Sequence, residues 1–218
     1  GDLAVQFAQG KEKDTREAEA MDIDEDLFRR GVVDAKLYGY LKVPNQRALV
    51  QNLKSGRGTS EAGTITMLSN YIADTLEPDT LYIIAPGSTM RSIMEAIGLP
   101  NTLLGVDMFC NRSILANDVT EADILQALGR YARAKIIVTV IGGQGYVFGR
   151  GNQQISAQVI ARVGKENIII AASKDKMLSL FGKELYVDTG DEETNRMLRG
   201  YYKVIVGYAD SVMFRVTD

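Results

Sequence analysis

Short apolar runs alternate with amphipathic segments along most of the chain after residue 79. The apolar runs include "TLYIIAP", "KIIVTVIG" and "NIIIAAS", and the amphipathic segments include "STMRSIMEAIG" and "SAQVIARVG". Apolar runs of this length predict buried strands, whereas apolar residues at helical spacing predict amphipathic helices. Their alternation predicts an α/β fold with a mainly parallel or mixed sheet covered by helices. The last segment, "YKVIVGYADSVMFRV", predicts an antiparallel hairpin at the edge of this sheet.

The first part of the chain has a different pattern. Residues 2–10 predict the last turns of a helix that ends at Gly10. A charged run follows, and then two segments of strand-like alternation, 20–28 and 31–44, predict an antiparallel β-hairpin. We therefore expect a helix end and β-hairpin extension over residues 1–44 and an α/β ligand-binding body over residues 45–218.

Composition and charge narrow the range of partners. The chain has 218 residues, a formal charge of -3 and a pI of about 5.2, and its basic residues are scattered. This distribution gives no electrostatic footprint for nucleic acid or an anionic membrane. The single cysteine, the lack of a signal peptide and the lack of a long apolar run favour a cytoplasmic protein. Composition leaves homo-oligomerisation open.

The chain contains no histidine. This absence excludes a Ser-His-Asp triad, a histidine general base and a histidine-containing zinc site built from this chain. Acid-base chemistry would depend on Asp, Glu, Lys or Tyr side chains. Any metal would be an oxygen-liganded ion such as Mg²⁺, for which no ligand set is assigned.

The segment after the first strand of the α/β body is one candidate anion site. An apolar strand stops at Pro86-Gly87, and a helix begins with Ser88-Thr89. Glycine allows a ligand to approach the backbone, while the amide groups at a helix N-terminus favour an anion. Ser and Thr are also common N-caps that need no ligand, so both interpretations stay open.

A second candidate is the glycine-rich segment "IGGQGYVFGRGNQQIS" that follows a buried strand. It is neither a Walker loop nor a dinucleotide fingerprint. A structural interpretation makes the first glycines a bulge or tight turn before a short strand, Tyr146-Val147-Phe148, with Ser156 capping the next helix. A functional interpretation places the loop at the carboxyl edge of the sheet, where planar polar side chains bind a ligand beside bare backbone. The candidate binding residues are Gly142, Gly143, Gln144, Gly145, Arg150, Asn152 and Gln153.

Two aspartates complete the set of candidates. Asp188 and Asp107 are each predicted at the carboxyl end of a strand, where a carboxylate could hold a hydroxyl group or Mg²⁺. Both positions also suit an ordinary capping or turn role. Asp191 is expected to cap the helix that follows it.

An ordered series of motifs resembles a known family. The segments "AEAMDIDEDLFRRGVVDAKLYGYLKVP", "APGSTMRSIMEAIGLPNTLLGVD", "IGGQGYVFGRGNQQIS" and "VDTGD" resemble the C-terminal part of the ATP-NAD kinase-like proteins of archaea and bacteria. This resemblance covers nearly the whole chain. It implies phosphorylation of NAD to NADP, with ATP or polyphosphate as the phosphoryl donor and Mg²⁺ as cofactor.

One motif of that family does not occur in this chain. In the family, a Gly-Gly-Asp-Gly-Thr motif in an N-terminal domain carries the aspartate expected to act on the ribose hydroxyl. Residues 2–10 resemble the helix that follows that domain, so we expect a C-terminal part that binds nucleotide and is inactive alone. The alternatives are a kinase for a sugar or another small alcohol on the same scaffold, and a non-catalytic nucleotide-sensing module.

Overall fold

The computed structural model describes residues 2–11, 14–23, 26, 35–44, 59–141, 145–180 and 182–218. Two compact units divide the chain, Gly1–Gly56 and Arg57–Asp218. The boundary between residues 44 and 45 expected from the sequence stays a prediction.

The first unit contains the predicted antiparallel hairpin. Helix α1 (Asp2–Ala8) precedes strand β1 (Thr15–Ile23), which pairs with β2 (Ala35–Pro44). Strand β1 begins five residues earlier than the sequence indicated, inside the charged run, because its charged residues face a partner strand that offers Lys42 opposite Glu17. Residues 29 and 30, which separate the two predicted strand segments, lie outside the described residues.

The second unit is an α/β body, as the sequence predicted, built around one mixed sheet of nine strands. Its strands are β3 (Leu81–Ile84), β4 (Asp107–Cys110), β5 (Ser113–Ala116), β6 (Ala134–Val138), β7 (Tyr146–Phe148), β8 (Ile168–Ala171), β9 (Leu185–Val187), β10 (Gly200–Gly207) and β11 (Asp210–Thr217). Its helices are α2 (Thr59–Asp74), α3 (Ser88–Ile97), α4 (Glu121–Leu128), α5 (Ala157–Val163), α6 (Lys174–Ser179) and α7 (Glu192–Leu198).

The four strands in the middle of the sheet are parallel to one another. The spatial order is β5-β4-β3-β6-β8-β10-β11-β9-β7. Strands β3, β6, β8 and β10, together with the edge strand β5, run in the same direction, whereas β4, β11, β9 and β7 run the opposite way. The predicted position of the β10–β11 hairpin is wrong, because the hairpin lies inside the sheet between β8 and β9. It turns at Tyr208-Ala209, where Ala209 has φ 52°.

Each face of the sheet has its own apolar cluster. Helices α2 and α3 pack on one face, against Tyr82, Ile84 and Ile137. Helices α4 and α5 pack on the other face, where Ile83, Ile136 and their neighbours form the larger cluster. Successive residues of a strand point to opposite faces, so the nearly continuous apolar strands supply both clusters.

The sheet also curves. The chain leaves β6 at Val138, and only three residues later Ile141 forms an antiparallel bridge with Tyr146, the first residue of β7. Strand β7 is the last strand in the spatial order, so the far end of the sheet comes back beside the chain that leaves β6. None of the described helices is both long and apolar enough to cross a bilayer.

Helix N-caps provide a test of this fold. Ser156 caps α5, as predicted, by accepting a hydrogen bond from the Val159 amide at 3.4 Å. We expect Ser156→Ala to lower the free energy of unfolding by about 1 kcal/mol, measured by denaturant titration. Ser92→Ala is the control, because the Ser92 hydroxyl only donates to a carbonyl one turn earlier in α3. An equal loss in both variants would contradict the capping role.

Candidate functional site

Helix α3 begins directly after the Pro86-Gly87 break, and its N-cap is Gly87. The interpretation of Ser88 or Thr89 as the N-cap is therefore wrong. Gly87 has φ 124° and ψ 161° and carries no side chain that could accept from the first turn. The helix starts when the Arg91 amide donates to the Gly87 carbonyl at 2.9 Å. No acidic residue lies in the first turn, so neither a side-chain cap nor a carboxylate compensates the positive end of the helix.

Thr139 lies against Gly87 from the neighbouring strand. A Cβ atom built on Gly87 would lie 3.5 Å from the Thr139 Cγ2 methyl group. Thr139 is 5% exposed, and its hydroxyl has no hydrogen-bond partner among the described residues. A buried hydroxyl without a partner is costly in a folded protein, and such groups are associated with an unseen water, ion or ligand. The Thr139 hydroxyl is therefore a candidate hydrogen-bond partner for a ligand at this place.

The topology predicts a ligand crevice at the same place. The chain leaving β3 continues into α3 on one face of the sheet, whereas the chain leaving β6 leads through β7 to α5 on the other face. The connections diverge between two neighbouring parallel strands, which is where open α/β sheets bind ligands. Gly87 and Thr139 stand on the two sides of this crevice.

A cation lies beside the chain that leaves β6. The Lys176 ammonium of α6 donates to the carbonyl of Val140, the residue after Thr139, at 2.8 Å. Ser173, buried at the start of the same helix, caps it by accepting from the Lys176 amide at 3.3 Å. Sequence reasoning missed both Thr139, which looked like strand interior, and Lys176. The signal for Lys176 was a serine-capped helix start after a buried strand, "AASKDK".

Asp107 holds a neighbouring loop. It is 1% exposed and accepts from the Thr102 amide at 2.6 Å, the Thr102 hydroxyl at 2.5 Å and the Asp118 amide at 2.9 Å. The loop that it holds includes Leu103, whose carbonyl accepts from the Gly87 amide at 2.9 Å. Asp107 begins β4 rather than ending a strand, which corrects the sequence prediction. By holding this loop, the Asp107 carboxylate positions the Leu103 carbonyl that accepts from the Gly87 amide.

Two glycines of the glycine-rich segment need bare backbone for packing. Gly142, Gly143 and Gln144 lie outside the described residues, so their predicted role stays untested. Gly145 has φ 83°, and a Cβ atom there would lie 3.3 Å from the Glu184 carbonyl oxygen. Gly149 has φ 90°, and a Cβ atom there would come within 1.7 Å of the Asp188 carbonyl oxygen. These two glycines therefore let β7 lie against the segment that contains β9.

The polar residues after β7 are arranged mainly by the protein itself. Asn152 is fully buried, donates to the Val147 carbonyl at 2.8 Å and accepts from the Gly149 amide at 3.1 Å. The Arg150 guanidinium lies 4.0 Å from the centre of the Tyr146 ring, a cation-π contact, and Gln153 is exposed. Asn152 thus closes the loop, and its assignment as a ligand-binding residue has no support from this geometry.

Asp188 and the crevice residues lie at opposite edges of the sheet because of the directions of their strands. Asp188 is exposed at the end of β9, and its amide donates to the Phe148 carbonyl at 3.2 Å. Because β7 and β9 run opposite to β3 and β6, their carboxyl ends point to the opposite edge of the sheet. Asp188 therefore follows the carboxyl end of its own strand, as predicted, but at the edge opposite the carboxyl ends of β3 and β6. Asp191 caps α7 as predicted, and the hydrogen bond from Thr194 lowers the pKa of its carboxyl group.

A family model described as "ATP-NAD kinase C-terminal domain" matches residues 78–216. A search of curated proteins and a search of solved structures each found no match. The chain therefore belongs to the ATP-NAD kinase C-terminal domain family, a family of kinase-type transferases, and the sequence-based assignment to it is confirmed. The matched range contains both sides of the crevice and the glycine-rich segment.

The packing role of Gly149 can be tested directly. We expect Gly149→Ala to lower the free energy of unfolding by about 3 kcal/mol, because a side chain there is strained at this φ and collides with the Asp188 carbonyl. Gly151→Ala is the matched control, since Gly151 also has positive φ but nothing lies within 4 Å of its added Cβ. That control should cost about 1 kcal/mol from backbone strain alone. Equal losses in thermal or denaturant unfolding would remove the packing explanation.

Proposed function

We propose that the chain supplies the nucleotide-binding part of a kinase that phosphorylates NAD to NADP, and that the crevice between β3 and β6 binds a phosphate group of the nucleotide. Family membership supports the kinase class. The observation that carries the site is the buried Thr139 hydroxyl, without a partner among the described residues, beside a helix N-terminus without a side-chain cap.

Each group at the crevice has a defined task in this proposal. The amides of Ser88 and Thr89, in the first turn of α3, would donate to phosphate oxygens, and the helix dipole would favour the negative charge. The Thr139 hydroxyl would donate a further hydrogen bond from the side of β6. Lys176, held beside Val140, would add positive charge at the same end of the sheet. Gly87 leaves the approach open because it has no side chain.

The described residues offer no carboxylate cluster for Mg²⁺. No cluster of three or more Asp, Glu or Cys residues that could hold a metal ion occurs in the part of the chain that the structure describes. Asp107, the buried carboxylate near the crevice, already accepts three hydrogen bonds. The described residues therefore do not fit a Mg²⁺ site of their own. Mg²⁺ bound to ATP or polyphosphate would be held mainly by phosphate oxygens.

The crevice binds and orients, and no side chain there is assigned as the catalytic base. Phosphoryl transfer depends mostly on positioning and electrostatic stabilisation, which a phosphate site of this kind contributes. The Asp107 carboxylate is already occupied by hydrogen bonds within the loop. This also favours a second candidate function, a nucleotide-sensing module that binds nucleotide without turnover. The two candidates share the binding site and differ in whether a protein containing this chain forms NADP.

Replacing Thr139 tests the site without damaging the fold. Thr139→Val keeps the shape and removes the hydroxyl that has no described partner, so the free protein should be as stable as the wild type or more stable. Binding of NAD, measured by calorimetry, should weaken at least tenfold, as expected from losing a hydrogen bond to a charged phosphate worth roughly 1.5–3 kcal/mol.

Tyr202→Phe is the matched control. Tyr202 is also buried, and its hydroxyl likewise has no partner among the described residues, but it lies on β10 away from Gly87. This variant should leave NAD binding unchanged. If Thr139→Val bound NAD as tightly as the wild type, the crevice would not be the phosphate site. If NAD bound at the crevice but a protein containing this chain formed no NADP with any donor, the sensing function would replace the kinase.

A further inference from the structure

A second cleft lies at the other end of β6. It has a volume of about 320 Å³, which is within the usual size of small-molecule sites. It is formed where α4 and α5 end and where β6 and β8 begin, which is the sheet edge opposite the carboxyl ends of β3 and β6. Its lining residues include Glu77, Leu128, Tyr131, Arg133, Lys135 and Arg162.

The charges of this cleft are unlike those of the whole chain. Three cationic side chains, Arg133, Lys135 and Arg162, line it together with one carboxylate, Glu77, although the whole chain has a net charge of -3. Lys135 forms an ion pair with Glu77. The hydrogen bond from Lys135 and the nearby positive charges lower the pKa of Glu77, so this carboxylate is ionised at neutral pH and compensates only one of the three cations.

Both arginines keep donors for a ligand. Arg133 donates through Nη2 to the Pro78 carbonyl at 2.6 Å, and Arg162 donates through Nη1 to the Leu125 carbonyl at 3.3 Å. A guanidinium group has five N–H donors in a rigid planar fork, and one such bond leaves most of them available. Planar forks of this kind bind phosphate oxygens two at a time. The carbonyl contacts hold the two side chains in place before a ligand arrives.

Shape and apolar surface favour a small ligand over a polymer. The cleft is compact, and the basic residues elsewhere in the sequence are scattered, so a nucleic acid would find no continuous positive track. Leu128 and the Tyr131 ring add an apolar wall beside the cations. A phosphorylated small molecule with an apolar or planar group matches both parts of the lining.

We propose that this cleft is a second ligand site of the protein, which binds a small phosphorylated metabolite through Arg133, Lys135 and Arg162. It is separate from the crevice of the proposed function. Lys135 precedes Thr139 by four residues of extended chain, about 13 Å, and the two sites lie at opposite ends of β6. The proposal does not depend on the nucleotide site being correct.

Calorimetric titration with inorganic pyrophosphate tests the proposal. The experiment uses the Thr139→Val variant as the background. This substitution weakens binding at the crevice, so the measured signal comes from the second cleft. The double variant Arg133→Ala/Arg162→Ala should bind pyrophosphate at least tenfold more weakly than this background. Arg196→Ala, which removes one positive charge from an exposed position on α7, should change binding less than twofold.

Two further measurements test whether the cleft prefers phosphate groups and whether a loss of binding reflects misfolding. Citrate should bind at least tenfold more weakly than pyrophosphate if the cleft prefers phosphate over carboxylate groups. Arg162→Glu is a second variant, because Arg162 is exposed and a reversed charge should abolish binding without removing the Arg133 contact to Pro78. The proposal fails if pyrophosphate does not bind at millimolar concentration, if Arg162→Glu binds normally, or if citrate binds equally well.

Discussion

The parallel pairing of β3 with β6, followed by connections that leave to opposite faces of the sheet, is the constraint on which the rest of the α/β body depends. Ile83 pairs with Ile136 and Ile84 with Ile137, so the two strands end together. Helix α3 then covers one face, whereas the chain after β6 turns to the other. The result is a topological switch point, with a helix N-terminus on one side and the buried Thr139 hydroxyl on the other.

Glycine serves two different physical purposes in this protein. Gly149 and Gly145 are bare because main-chain atoms of the segment around β9 occupy the space that a side chain would need. At Gly87, the nearest atom to an added Cβ is a methyl group at ordinary contact distance, and glycine is favoured instead by the positive φ of 124°. The lack of a side chain there also leaves the N-terminus of α3 without a side-chain cap. A glycine-rich sequence therefore does not by itself indicate a ligand.

Much of the fold could be predicted from hydrophobic periodicity. The runs around Leu81–Ile84, Ala134–Val138 and Ile168–Ala171 are continuous and apolar, because buried parallel strands face apolar layers on both sides. Periodicity carries no information about strand direction, however. It could not show that β7 and β9 run against β3 and β6, or that the β10–β11 hairpin lies inside the sheet. Without strand direction, the sequence could not show that Asp188 and the residues after β7 lie at the edge opposite the carboxyl ends of β3 and β6.

The candidate site was accessible to sequence reasoning only in part. A Pro-Gly break before a helix start identified Gly87, because such breaks have a recognisable local chemistry. Thr139 stands in "IIVTVIG", where threonine is an ordinary strand former, and only three-dimensional packing shows that its hydroxyl is buried without a described partner. Lys176 depends on a contact across 36 residues of sequence, which no local pattern encodes.

Hydrogen exchange of the backbone amides with and without NAD is the most direct test of the crevice as the nucleotide site. The account predicts slower exchange on binding in residues 85–92 and 139–141, with no change in residues 149–153 and 186–190. Slower exchange confined to the second set would contradict it, and would place the ligand at the ends of β7 and β9 instead.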